Sequence, residues 1–234
     1  MTDNPTPSIT VGGDASGQIA IGDTVTQTQT GNAQGAGEHP ITVLFWAANP
    51  VNTTQLRLDE EIRTIDERLQ ASEHRDRFDL RSQWAVRHSD LSEGLLRYRP
   101  EVVHFSGHGD PEGLLLFEDD DGVSQPMDIE ALADLFRIAG EQVRCVVFNA
   151  CYSADQASAV AASIDCVVGT TRAIEDPSAL AFAAGFYRAL GYGQSVQSAF
   201  DLGRNEISLA GYADEDVPQL HAKQGVDAAD VHIA

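Results

Sequence analysis

The apolar positions of this chain divide it into two regions. Residues 1 to about 38 contain no Leu, Phe, Trp, Tyr, Lys or Arg and are rich in Gly, Thr, Gln, Asn and Ser. Such a stretch buries too little apolar area to fold alone. From Pro40 the pattern changes. Ile41 to Ala48 is a continuous apolar run, suited to a strand buried on both faces. Leu58, Ile62, Ile65 and Leu69 then recur at helical spacing with charges between them. A second strand is predicted near residues 78–86. A short helix follows from about Asp90, with Glu93 at the capping-box position and Pro100 as its stop.

Residues 101–106 read as a third strand. Residues 114–117 and 123–127 flank Asp119-Asp-Asp-Gly122 as a hairpin. Asp128 caps a helix carrying Ile129, Leu132, Leu135 and Phe136, which ends before Gly140. Residues 143–149 are a fourth strand, 154–164 a helix and 166–169 a fifth strand. Asp176-Pro177 opens the next helix with proline at its first position. Strands alternating with helices predict an α/β fold, a mainly parallel sheet covered on both faces.

The N-terminal region admits two readings. One is a disordered tail. The other takes Ile9 to Asp23 and Thr24 to Thr30, where β-branched and small residues alternate between glycines, as a cross-β assembly motif. Its centre, Ile19-Ala-Ile-Gly22, resembles the tetrad of RHIM-type amyloid signalling motifs, with Ala20 where a Gln usually lies and Gln18 just outside. That resemblance implies self-assembly or recruitment by a sensor, of NLR-like kind, through residues 9–30. Gly31 to Gly37 reads as a flexible linker.

Composition narrows the function classes. With 42% hydrophobic and 22% charged residues, the chain has a soluble globular profile. No apolar stretch is long enough to span a membrane, and the N-terminus lacks a secretory signal pattern, so the expected location is cytoplasmic. A net charge of −21 repels phosphate backbones and anionic lipid, which argues against nucleic-acid and membrane partners. Three cysteines, Cys145, Cys151 and Cys166, are too few for a disulfide framework.

Chemistry concentrates at two strand ends, where α/β sheets build their sites. The third strand runs into Ser106-Gly-His-Gly-Asp110 and the fourth into Asn149-Ala-Cys-Tyr-Ser153. A thiol is mostly neutral at pH 7, and a nearby imidazole raises its thiolate fraction or takes its proton on attack. Cys151 is thus the candidate nucleophile and His108 its base. Ser153-Ala-Asp-Gln156 fits a capping box, so a helix is expected to start just past Cys151. The N–H groups of Gly109 and Cys151 are candidate oxyanion donors, typically worth about 3–4 kcal/mol each. No third triad member is evident. Cys145, Cys166 and His104 read as packed core residues. The array His104, His108, Asp110 lacks a second cluster, so no metal is expected.

Residues 41–222 resemble the CHAT family of caspase-like proteases, within the caspase–haemoglobinase fold. The resemblance is carried by Leu44 to Pro50, Leu56 to Glu61, Val103 to Gly109, Val147 to Ser153 and Gly185 to Leu190. It implies a His108–Cys151 dyad, an oxyanion hole that includes Gly109, and peptide-bond hydrolysis through a thioester without a cofactor. It also implies a protein or peptide substrate and an effector role in bacterial-type defence or cell death. The alternative is a catalytically silent caspase-like module that binds or assembles through the N-terminal segment. Relatives that cut after Arg or Lys often carry an acid two residues before the nucleophile, where this chain has Asn149. Arg172 could instead pair with an acidic substrate side chain, whereas Asp110 adds negative charge beside the His loop. The expected organisation is an N-terminal segment over 1–38, a peptidase domain over 39–223 and a C-terminal tail over 224–234.

Overall fold

The computed structural model describes residues 39–234; the assembly-motif and linker readings lie outside them. Strands β1 (Ile41–Ala47), β2 (Phe78–Trp84), β3 (Val102–Ser106), β7 (Cys145–Asn149), β8 (Cys166–Thr170) and β9 (Pro218–Ala222) form one sheet, in the order β2-β1-β3-β7-β8-β9. All neighbours are parallel except the antiparallel edge pair β8 and β9. A small antiparallel sheet of β4 (His108–Gly109), β5 (Leu115–Glu118) and β6 (Ser124–Pro126) follows β3. The six helices are α1 (Leu58–Gln70), α2 (His88–Tyr98), α3 (Ile129–Ala139), α4 (Ala154–Val160), α5 (Asp176–Gly191) and α6 (Val196–Leu209).

Alternation along the strands builds two cores. In β1, Ile41, Val43, Phe45 and Ala47 face α1, α5 and α6. Leu44, Trp46 and Ala48 join the core under α2, α3 and α4. Both faces are covered, so the strands read as unbroken apolar runs. On β3 and β7, the parity that faces α1 and α5 carries Val102, Cys145 and Val147. The polar His104, Ser106 and Asn149 share that parity, all of them buried.

The structure corrects three boundary expectations. Helix α2 starts at His88 rather than near Asp90, and Asp90, not Glu93, is the box acid: its Oδ2 accepts from Arg87 N at 2.9 Å. Glu93 is left on the exposed face, 3.9 Å from Arg97. Helix α4 spans seven residues and stops at Val160, short of Ile164. Residues 224–234 are not a tail. Ala228, Val231 and Ile233 are buried in the α1/α5/α6 core, and the N–H groups of Val196 and Gln197 donate to Val231 O and Ala228 O. These alternating small apolar residues supply the cover that the start of α6 needs.

Candidate active site

The carboxyl ends of β1, β3 and β7 lie side by side, because Ala47 pairs with Ser106 and Ser106 with Asn149. Three loops therefore emerge together: residues 48–57 after β1, the His108 turn after β3 and the Cys151 turn after β7. Their side chains line one cleft.

His108 is half-buried, and its Nε2 lies 2.7 Å from Thr54 O. A carbonyl only accepts, so Nε2 carries the proton and in the neutral ring Nδ1 is the basic nitrogen. The loop that presents Thr54 is itself fixed. Asn49 closes it by bonding Leu56 N and O through its side chain (3.2 and 3.1 Å), and Asn49 N donates to the buried Glu118 at 2.9 Å. Asn52 ties the loop to Ser124. The Thr54 carbonyl is a partner that sequence reasoning missed. Backbone groups leave no residue-type signal, although Asn49-Pro50 marked the turn.

Cys151 is half-buried. Its thiol lies 3.8 Å from Ile174 O. The turn that carries it is tight, because Tyr152 adopts φ +58°, a region that bulky residues rarely enter. Ser153 pins that turn rather than capping α4. Its fully buried Oγ lies 2.9 Å from Ala150 O and 3.0 Å from Phe148 O, and accepts from Thr170 N at 3.0 Å. The capping-box expectation is overturned because β8 and the β7 carbonyls outcompete the helix for this hydroxyl.

Gly109 packs directly on the Cys151 backbone, and a methyl placed on it would collide with the Cys151 carbonyl oxygen. Only glycine permits this approach. Gly109 pairs with Leu115, whose carbonyl accepts instead from Met127 N on its other side. Hydrogen-bonded and non-bonded pairs alternate in an antiparallel ladder, so the Gly109 N–H is left out of the β4–β5 ladder.

A polar cluster forms part of the cleft lining. Glu61 is 5% exposed and accepts from His104 Nε2 at 2.8 Å, from Asn149 Nδ2 at 2.5 Å and from Ser106 Oγ. His104 Nδ1 is 3.0 Å from Tyr187 Oη, whose own pKa burial pushes up. His104 is thus buried as expected, but as part of a hydrogen-bonded polar cluster. Glu61 was also missed as a site residue. It interrupts the stripe Leu58, Ile65, Leu69 at helical spacing, and a carboxylate on a buried face is the signal that could have found it.

The other candidates fare differently. Arg172 Nη1 and Nη2 are held by Asp214 and Asp216 at 2.9 and 2.6 Å, and the hydrogen bond it donates to Asp214 raises its pKa. Burial pushes Asp214 upward, but bonds from Arg172 and Ser178 prevail and hold its carboxyl below the usual value. Arg172 is a loop staple and does not line the cleft. Asp110 also lies outside the cleft; its Oδ1 accepts from Glu112 N and Leu114 N, closing its own turn. Asn149 lines the cleft and points its amide at Glu61. Cys145 and Cys166 are buried neighbours in register, and burial raises both thiols, Cys166 to about 12. Among the described residues no cluster of His, Cys, Asp and Glu could hold a metal ion, and no helix is long and apolar enough to cross a membrane.

The CHAT domain model matches residues 11–209 of this chain. A probable protease of Gillisia limnaea (strain DSM 15749 / LMG 21470 / R-8282) is 26% identical over 159 residues, 66% of this chain and 28% of that protein. A Roc-COR-CHAT protease of an unknown prokaryotic organism is 24% identical over 155 residues, 63% of this chain and 15% of that one. The chain therefore spans well under a third of the length of either relative. A secreted C11 cysteine protease from Bacteroides thetaiotaomicron, solved with an irreversible peptide inhibitor, superimposes with a TM-score of 0.59 at 14% identity, covering 79% of this chain and 66% of that one. Caspase-1 from Spodoptera frugiperda gives 0.53 at 10% identity, covering 79% and 86%. The fold is caspase-like, a mainly parallel sheet sandwiched between helices.

Proposed function

The chain belongs to the CHAT domain family, and on that premise we propose that it is a cysteine endopeptidase acting through Cys151 and His108. One observation carries this reading: the Thr54 carbonyl holds the Nε2 proton of His108 and leaves Nδ1 as the base, in the cleft that Cys151 also lines. His108 takes the thiol proton as Sγ attacks the scissile carbonyl carbon. The oxyanion is met by the N–H groups of Cys151 and Gly109, the latter left out of its ladder. His108 then returns the proton to the leaving amine, and a thioester remains. Water, deprotonated by the same ring, hydrolyses the thioester and restores the thiol. Every atom and proton in this cycle comes from the peptide, one water and the dyad, so no cofactor is needed.

The protease names of the curated relatives support a protein or peptide substrate. The biological setting is likewise a proposal: an effector of a bacterial-type defence or cell-death system, recruited through residues 9–30. Purified protein should cleave a mixed-sequence peptide library. Cys151→Ala and His108→Ala should each lower turnover by about 10³-fold or more, as loss of a member of a nucleophile–base unit does. Turnover unchanged in both variants would remove Cys151 and His108 from the reaction, and no turnover in the wild type would leave a binding module as the better account.

A further inference from the structure

The sequence leaves cleavage preference open, because the position two before Cys151 is the neutral Asn149. The structure assigns that role to a residue far away in sequence. Asn149 Nδ2 donates to Glu61 at 2.5 Å, and Glu61 lines the same cleft as Cys151. Asn149 aims the acid in place of being one.

The charge on this cluster follows from its hydrogen bonds. Asn149 Nδ2 and His104 Nε2 both meet Glu61 Oε1, and Ser106 Oγ donates to Oε2. An ionised carboxylate accepts all three. Tyr187 is fully buried, and the hydrogen-bond partner of its hydroxyl is His104 Nδ1. Were His104 protonated, both its ring nitrogens would donate and the Tyr187 proton would be stranded in the core, which is costly. The consistent order runs Tyr187 O–H to Nδ1 and Nε2–H to Glu61. In that order the imidazole is neutral, and among the described residues no buried Lys or Arg faces Glu61.

A second acid, Asp176, lies half-buried on the cleft wall at the start of α5, and no cation pairs with it among the described residues. Arg57 also lines the cleft, but it forms an ion pair with Glu60 on α1. Leu56, Ile174 and Leu180 supply apolar wall between these charges. Apolar lining beside a hydrogen-bonded carboxylate is the chemistry that suits an aliphatic stem with a cationic head.

Building on the peptidase reading above, we infer that Glu61, aimed by Asn149 and Ser106 and assisted by Asp176, selects a basic side chain, Arg or Lys, immediately before the scissile bond. Arg172, bound to two aspartates and outside the cleft, is not placed to favour an acidic side chain there.

The test uses the full chain and one peptide acyloxymethyl ketone made with Arg, Lys, Leu or Asp before the warhead. Inactivation rates with Arg and Lys should exceed those with Leu and Asp. Glu61→Gln should lower the Arg-to-Leu rate ratio by about a hundredfold, in line with the loss of one partner of a desolvated charge pair. Asp176→Asn should lower it by a smaller factor. A ratio cancels any change in the amount of active enzyme, so partial misfolding does not blur the result. Faster reaction with Leu or Asp, or a ratio unmoved in Glu61→Gln, overturns the inference. If no ketone modifies Cys151 at all, the peptidase reading fails instead. Calorimetry on Cys151→Ala then decides the pocket alone: tighter binding of an Arg peptide than its Leu counterpart upholds the inference, and equal binding overturns it.

Discussion

Three thiols occupy this chain, and their surroundings differ. Cys145 and Cys166 lie within strands at zero exposure, where burial raises both pKa values, Cys166 to about 12. Thiolate is the reactive form, so at pH 8 both should be nearly inert in the native protein. Iodoacetamide followed by peptide mapping should modify Cys151 first. Comparable labelling of all three only after denaturation would complete the pattern. At His108 the controlling contact is a backbone carbonyl, and its support can be changed through Asn49, which closes the loop bearing Thr54. Asn49→Ala should leave the fold intact and cut kcat by about tenfold, since misplacement of a catalytic group by a fraction of an ångström is costly. An effect confined to KM would assign Asn49 to substrate binding instead.

Among the elements, the strands were the most legible in sequence, because continuous apolar runs bounded by polar turns leave few other options. The helices α1, α3 and α5 were also readable from spacing, the Asp128 cap and Pro177. Local signals misled where tertiary partners compete for the same group. Ser153-Ala-Asp-Gln156 reads as a capping box, yet Thr170 N on β8 takes the Ser153 hydroxyl and the helix beyond it is short. Ser153→Ala leaves that buried N–H unsatisfied and should destabilise the protein by about 1–3 kcal/mol. Chemical denaturation would measure it. A larger drop in the reaction rate of Cys151 than in stability would show that the hydroxyl also sets the nucleophile's turn. The polar parity His104, Ser106 and Asn149 was visible in the sequence. Its meaning was not, because Glu61 and Tyr187, which complete it, arrive from α1 and α5.

At the scale of the molecule, sequence and structure agree on a mainly parallel sheet whose adjacent strand ends bring His108 and Cys151 to one cleft, and diverge on the chain's last stretch. Residues 224–234 hold the core closed beneath α6 rather than trailing from it. Ending the chain at Gln224 would expose the surface covered by Ala228, Val231 and Ile233. At the usual value for burying such side chains, this should cost about 4 kcal/mol, read as a lowered midpoint in urea. An unchanged midpoint would mean that the segment contributes no stability. For the N-terminal region, the proposed recruitment role predicts that deleting residues 1–37 removes clustering and leaves peptidase turnover in place; loss of both would mean that assembly activates the proposed enzyme.

The central claim is that Cys151 and His108 act as one catalytic pair, and covalent capture tests it most directly. Full-length protein and His108→Ala are treated with the same peptide electrophile, and the adduct is followed by intact mass and located by peptide mapping. The account predicts one adduct per chain, on Cys151, formed at least about a hundredfold faster in wild type than in His108→Ala. Equal rates in the two proteins, or adducts spread over Cys145 and Cys166 as well, would contradict it.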